Sequence, residues 1–395
     1  MPHMDTQTSH ITQAERLSPA LVLLLAMGAG AAVANSYYNQ ALLGHLTADF
    51  DLRAGFAVAV PVLTQLGNAV GVLFLAPLGD RIERKSLILV TIGALAVALI
   101  GAAVAPGFIW LAVASLAVGL GATVAQQIVP LAVHLAAPAE RGRVLGTVTG
   151  GILIGILLAR AVGGLISDTW GWSVVFWFAA ALMIVIGAAL AIWLPRVPPT
   201  TTLSYPRLIG SLWGLIRSHR ILRRAVAVQF LIFAAFIGFW STLALLLAEP
   251  VYGLGGAAVG LLALVGVAGA LAAPMAGAMS DRYGAGPIVS IGACLVLIAF
   301  LVFWLWQASL VGLVVGILVL DLAVQSSQVA NQARIYALDP TARSRLNTVF
   351  MATMLAGGAF GAGIGGAAYV YWGWSGVCAF GVLSAALAFL LSHRS

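Results

Sequence analysis

Two charged side chains stand inside runs of sequence that are otherwise uncharged and largely apolar. Asp321 falls in the run 308–332 and Arg160 in the run 144–167. A carboxylate surrounded by hydrocarbon either keeps its proton or sits ionised beside a cation, and both conditions suit a group that binds and releases protons. A guanidinium does not shed its charge, so Arg160 needs water, a partner or a ligand. At about 1.5 Å of rise per residue, Asp321 lies roughly 18 Å into its helix from Ser309, near the midplane. The same count puts Arg160 roughly 24 Å from Val144, in the outer third of its helix. The chemistry on offer is proton coupling at Asp321 and counter-charge for an anionic or oxygen-rich molecule at Arg160. Two plainer readings stay open: Asp321 as a protonated acid hydrogen-bonded within its own half, and Arg160 snorkelling to the outer headgroups.

The elements that position these groups follow from composition. Hydrophobic residues make up 62% of the 395 and charged residues 8%. A soluble globular protein carries about 25% charged residues, so this chain belongs in a bilayer. Disorder, collagen, coiled coil, disulfide scaffold and an extramembrane enzyme domain are excluded by the same composition. Cys294 and Cys378 fall within apolar runs and read as small buried hydrophobes. His45, His134 and His219 fall at helix ends or loops without metal-ligand spacing. No G-x-x-x-x-G-K-[ST] loop occurs, which excludes ATP-driven transport by this chain alone. No cofactor or metal is expected.

Segmentation at about 20 apolar residues per crossing yields twelve spans. In the first half they cover 19–43, 54–78, 86–106, 108–133, 144–167 and 174–194; in the second, 225–248, 256–278, 286–306, 308–332, 347–370 and 374–392. With a cytoplasmic N-terminus, 17 of the 19 basic residues lie on the inner side; Arg53 lies outside and Arg160 within a span. The positive-inside rule therefore puts both termini in the cytoplasm. The net charge of +7 is then a topology signal, and no nucleic-acid partner is expected. The polar tail 1–18 leads into a run long enough to span, so it reads as a membrane-inserting start without a cleavable signal peptide.

Repeats set the architecture. Trp170-Gly171-Trp172-Ser173 returns 202 residues later as Trp372-Gly373-Trp374-Ser375, and Gly163-Gly164 returns as Gly365-Gly366. Arg141-Gly142-Arg143 returns as Arg343-Ser344-Arg345, and Asp80-Arg81 as Asp281-Arg282. The chain therefore divides into two six-helix halves in parallel orientation, 19–194 and 225–392, with a short tail at 393–395. The linker 195–224 opens on Pro195, Pro198 and Pro199 and continues as a basic amphipathic stretch suited to the inner membrane surface.

Over essentially its whole length the sequence resembles the major facilitator superfamily. That family's signature between helices two and three reads G-x-x-x-D-R-x-G-R-K. Residues 76–85, Ala-Pro-Leu-Gly-Asp-Arg-Ile-Glu-Arg-Lys, match it with Ala76 and Glu83 in the two glycine slots. A second copy at 277–284 keeps both glycines. The segments 35–40, Asn-Ser-Tyr-Tyr-Asn-Gln, and 331–336, Asn-Gln-Ala-Arg-Ile-Tyr, resemble a bacterial branch of predicted sugar or drug efflux permeases. The resemblance implies an all-α integral membrane fold of twelve transmembrane helices in two pseudo-symmetric six-helix halves.

It also implies site roles. In the family, the signature aspartates tie the two halves together on the inner side when the cavity opens outward. Asp80 is then expected at the start of helix eleven near Arg345 and Asn347, and Asp281 at the start of helix five near Arg143. Arg81, Arg84, Lys85, Arg282, Arg141 and Arg343 complete this conformational latch; the alternative leaves the cations as topology determinants and the aspartates as loop solvation. Drug antiporters of the superfamily carry G-x8-G-x3-G-P-x2-G-G in helix five. Here Gly146, Gly155, Ala159, Arg160, Gly163 and Gly164 occupy those spacings. Arginine replaces the proline, so the antiporter kink cannot be assumed. Cavity-lining helices carry Asn35, Tyr37, Tyr38, Asn39 and Gln40 on one, Gln65 and Asn68 on two, Gln126 and Gln127 on four, Gln229 and Trp240 on seven, and Gln325, Gln328, Asn331 and Gln332 on ten. For any one of them, an interhelical hydrogen bond competes with substrate contact.

The expected function is secondary active transport of a small organic molecule by alternating access, as proton-coupled efflux. The alternatives are an uncoupled facilitator or importer of a sugar or organic anion, and a non-transporting membrane sensor or scaffold. The expected partners are a small-molecule substrate, protons and the lipid bilayer, with the protein a monomer in a bacterial inner membrane.

Overall fold

In hydrocarbon every backbone N–H and C=O must be met within the protein, and an apolar chain does this by folding into helices. The structure, a computed structural model, describes residues 17–52, 54–137, 140–199, 204–270, 278–280, 282–339 and 342–393. The remaining residues, and the side chains of 54, 55, 80 and 267–270, lie outside that description. No strand occurs among the described residues. The helices are α1 (Pro19–Ala34), α2 (Asn39–Asp49), α3 (Ala54–Ala57), α4 (Ala59–Leu75), α5 (Arg84–Ala103), α6 (Phe108–Ala122), α7 (Val124–Leu135), α8 (Arg141–Trp170) and α9 (Trp172–Trp193). They continue as α10 (Tyr205–Ser218), α11 (Arg220–Ala248), α12 (Gly256–Ala270), α13 (Ala285–Leu305), α14 (Leu310–Tyr336) and α15 (Arg343–His393).

Ten segments among the described residues are long and apolar enough to cross a membrane. One of them is α15, whose 51 residues are broken at Gly373, with φ 61° and ψ −154°. Only glycine adopts that conformation readily, so one continuous run becomes two crossings. With the shorter apolar α12, the pattern agrees with the expected twelve-helix architecture. Large side chains such as Val90, Val97, Ile109, Ile192, Leu305 and Trp372 face outward, as an all-apolar surrounding requires.

The first expected helix differs in detail. It runs from Pro19 to Asp49 but breaks between α1 and α2. At 35–37 the backbone N–H groups reach back three residues, to Ala32, Val33 and Ala34. The Asn35 amide donates to the carbonyls of Ala31, at 2.8 Å, and Ala32, at 3.2 Å. A side-chain amide that satisfies freed carbonyls lets a helix change direction inside a membrane. α8, by contrast, is unbroken over 30 residues. An arginine at 160 keeps the backbone donor that a proline would remove.

Two seams join the halves, α8 against α12 and α4 against the first part of α15. A Cβ at Gly164 would lie 2.2 Å from the Gly256 carbonyl oxygen, so these two backbones are in direct contact. Gly155 meets Gly30 of α1 equally closely. Gly155 and Gly164 of the helix-five motif thus serve close helix approach on two sides of α8, whereas a Cβ at Gly146 would meet nothing within 4 Å.

α10 lies within the linker. Leu208, Leu212 and Leu215 are buried on one face, and the Tyr205 hydroxyl donates to the Phe74 carbonyl at 2.8 Å. α11 begins at Arg220, inside the stretch assigned to the linker.

Glu83 stands in a signature glycine slot without strain. Its φ is −58°, and it caps α5 by accepting from the N–H groups of Lys85 and Ser86 at 3.2 and 3.1 Å. Its counterpart Gly284 has φ 86°. The two copies of the motif therefore turn differently, and glycine is needed only in the second. The bond from the Ser86 hydroxyl, with the two N–H groups, holds the Glu83 carboxyl below its ordinary value of 4.5. Its capping contribution is therefore fully present above that pH and fades as the pH falls through the depressed pKa. Glu83→Ala is expected to lower stability at neutral pH by about 1 kcal/mol, read as a fall in melting temperature of the detergent-purified protein. An unchanged melting temperature would remove the cap from the account.

Candidate functional site

Arg160 projects from the middle of the α8–α12 seam and is 1% exposed. Its Nε donates to Gln40 Oε1 at 2.7 Å. The guanidinium carbon lies 4.1 Å from the Trp240 ring centre and 5.1 Å from that of Tyr37. The break between α1 and α2 presents Tyr37 and Gln40 to it, and α11 brings Trp240 from the other half. The side chain thus points between the halves, not to the outer headgroups. Stacking on a desolvated aromatic face contributes about 2 kcal/mol or more. Nη2 of Arg160, Nε1 of Trp240 and Nε2 of Gln40 have no hydrogen-bond partner.

Asp321, 4% exposed, projects from α14 against Gly266 of α12. Its Oδ2 also has no hydrogen-bond partner. The two groups interact through their charges, yet no nitrogen–oxygen pair between them falls within the 4.0 Å of a salt bridge. Two opposite charges are therefore buried near one another without direct pairing, each with one polar atom unmet. At the 202-residue offset Arg160 corresponds to Ala362 and Asp321 to Gly119. The charges are superimposed on the duplication and belong to neither repeat.

Around this pair, several expected cavity residues serve the frame. Asn39 donates to the Thr64 hydroxyl at 2.9 Å and Asn68 to the Ser36 hydroxyl at 3.0 Å, tying the first two spans together. Asn331 donates to Gln229 Oε1 at 3.2 Å. Gln65 is fully buried, and both atoms of its amide are without a hydrogen-bond partner. Tyr38 is buried against α8, with its ring near Gly163. Gln325 and Gln328 are half-buried on α14.

Towards the basic end of the bundle a cavity of about 610 Å³ opens between the halves. Gln126, Gln127, His134, Arg84, Arg141 and Arg343 line it. Arg84 Nε donates to the Gly79 carbonyl and Arg343 Nε to the Tyr336 carbonyl, each within its own half. Arg81, Arg143 and Arg282 are exposed, and Lys85 and Arg345 partly so. The Asp80 side chain and all of Asp281 lie outside the described residues. Of the cations assigned to the latch, Arg84, Arg141 and Arg343 line this mouth.

At the opposite end the halves are joined by a contact that sequence reasoning missed. The Asp168 carboxylate, at the end of α8, accepts from the N–H groups of Gly256 and Ala257 at 3.1 and 2.8 Å. His45 Nε2 lies 3.2 Å from its Oδ1. A carboxylate on the unpaired amides of a helix start is electrostatically favoured, and here it clamps one half onto the other. The sequence shows an acid at one helix end and glycines before another, with nothing to say that they meet. If this contact holds the outer end shut, Asp168→Asn should enlarge the open population there. Spin labels at Asp51→Cys and Val251→Cys, in a background lacking Cys294 and Cys378, should report a longer distance. An unchanged distance distribution would exclude Asp168 from gating.

Comparison with known proteins bears on this arrangement. Residues 21–319 match the family model described as Major Facilitator Superfamily. The chain is 40% identical over 380 residues to "Uncharacterized transporter YgaY" of Escherichia coli O157:H7, covering 96% of each chain. It is 35% identical to a probable transporter of Streptomyces coelicolor, covering 90% of this chain and 83% of that one. "Multidrug resistance protein D" of Escherichia coli K12 is 28% identical over 198 residues, about half of each chain. Among solved structures, the nucleoside transporter NupG superimposes with a TM-score of 0.76 over 95% of this chain and 98% of its own, at 15% identity. A peptide transporter gives 0.77 over 95% and 93%, at 14% identity. At such identities these two likenesses speak for the fold alone.

Proposed function

Since the chain belongs to the major facilitator superfamily, we propose that it is a proton-coupled secondary transporter that exports a small organic molecule across a bacterial inner membrane. The observation that carries this reading is the buried, unpaired juxtaposition of Arg160 and Asp321 where the halves meet. A fold built only for stability gains nothing from two such charges, since burying them costs several kcal/mol each without direct pairing. A transporter gains a site that substrate and protons complete in turn. The positive-inside rule assigns the basic end, and both termini, to the cytoplasm. The 610 Å³ mouth is then an inward-facing entrance, and the Asp168 contact closes the outer side. In the outward-open state Asp80 and Asp281 would close the inner side, with Arg81, Arg84, Lys85, Arg141, Arg143, Arg282, Arg343 and Arg345 around them. Similarity to a multidrug resistance protein over half the chain favours efflux over uptake.

The test is flux in proteoliposomes enclosing a pH-sensitive dye. Amino acids, organic acids, sugars and lipophilic cations are added one at a time across an imposed pH gradient. The expected result is substrate-dependent dissipation of the gradient by at least one class. Substrate movement with no proton movement would identify an uncoupled facilitator instead.

A further inference from the structure

We propose that the Arg160–Asp321 site takes a zwitterion, a small molecule carrying both a carboxylate and an ammonium group, and that the ammonium and the coupling proton occupy Asp321 in alternation. The inference rests on the transport reading above. Its starting point is the set of unmet polar atoms. Arg160 Nη2 and Trp240 Nε1 are donors without an acceptor, and Asp321 Oδ2 is an acceptor without a donor. The guanidinium carbon lies 4.1 Å from the indole ring centre, which puts the two donors in one neighbourhood for a single carboxylate. An ammonium group is the matching donor for Asp321.

Charge balance selects among ligand classes. The site holds one fixed positive and one ionisable negative group, both 4% exposed or less. A simple anion seated on Arg160 would face the Asp321 carboxylate, and a simple cation seated on Asp321 would face the guanidinium. A zwitterion meets both charges with opposite ones and brings no net charge into a poorly solvated region. Asp321 packs directly on α12: position 266 is glycine, and a Cβ there would lie 2.9 Å from Oδ2. Alternation follows from the same balance. A proton on Asp321 removes the charge that holds the ammonium, so protonation releases the substrate and substrate binding expels the proton. Exchange of one proton for one neutral zwitterion moves one net charge, which makes transport sensitive to membrane voltage.

The experiment is binding to the purified full chain, by thermal shift and titration calorimetry, with the twenty proteinogenic α-amino acids. For the best binder, its N-acetyl derivative and its methyl ester follow. The intact amino acid should bind, and blocking either end should weaken it about ten-fold or more. Arg160→Lys should weaken the intact amino acid while leaving the ester nearly unaffected, and Asp321→Asn should remove the preference over the N-acetyl form. Gly266→Ala, whose Cβ would press on the Asp321 carboxyl, should weaken the amino acid more than the N-acetyl form. Binding of no amino acid, or equal binding of the N-acetyl form by the parent protein, overturns the zwitterion. Proton-linked flux of a sugar or simple anion would in that case leave the transport reading standing. Conversely, an amino acid that binds but never moves with protons would sustain the zwitterion site and overturn the coupling.

Discussion

Arg160→Ala is expected to cut transport efficiency roughly 10- to 100-fold, because the charge-assisted bonds it removes contribute about 1.5–3 kcal/mol. The change acts in three places. It strands Gln40 Oε1, which accepts from Arg160 Nε at 2.7 Å. It uncovers the Trp240 face, and it leaves the Asp321 carboxylate with no cation beside it. Arg160→Lys should restore the charge but only part of the rate, since an ammonium offers neither the planar stack on Trp240 nor the separate Nε and Nη2 donors. The same guanidinium repels cations, so lipophilic cations are expected to be poor substrates. Uptake into inverted vesicles measures both effects, with size-exclusion profiles showing that the variants remain folded. Robust transport of ethidium-like cations independent of Arg160 would overturn the role given to it.

Asp321→Asn should abolish accumulation driven by a pH gradient while counterflow exchange persists at saturating substrate, with a raised KM. Asparagine keeps an oxygen acceptor for the substrate but has no proton to take up, so exchange continues and coupling does not. The rate of exchange should also lose its dependence on pH. Equal loss of driven transport and exchange would make Asp321 a structural or purely substrate-binding group. Undiminished accumulation would exclude it from coupling altogether. Comparing the two variants separates the charges: Arg160→Lys lowers both activities together, whereas Asp321→Asn divides them.

The family was legible in local features. The duplicated Trp-Gly-Trp-Ser and Asp-Arg motifs needed only sequence comparison at a fixed offset, and the spans needed only the length of a bilayer crossing. Both charged residues stood out because hydrocarbon penalises ionised groups wherever they occur. Other elements were less accessible. The break after Ala34 depends on the Asn35 amide reaching the Ala31 and Ala32 carbonyls, a contact that an apolar count does not register. The freedom of Glu83 to replace glycine depends on a capping geometry that its own copy of the motif adopts and the other does not.

By itself, then, the sequence determined the environment, the helical class and the two-fold repeat, since each follows from local composition and spacing. The tertiary structure decided what those side chains meet. Gln40 and Trp240 stand 120 and 80 residues from Arg160 in the chain, and Asp168 meets the start of α12 across 88 residues. Such contacts depend on which helix faces pack, and packing in a membrane follows small residues and shape rather than hydropathy, because lipid and side chains are equally apolar. The direction of the guanidinium was open in the sequence for that reason; in the structure it points to Gln40 and Tyr37 of one half and Trp240 of the other.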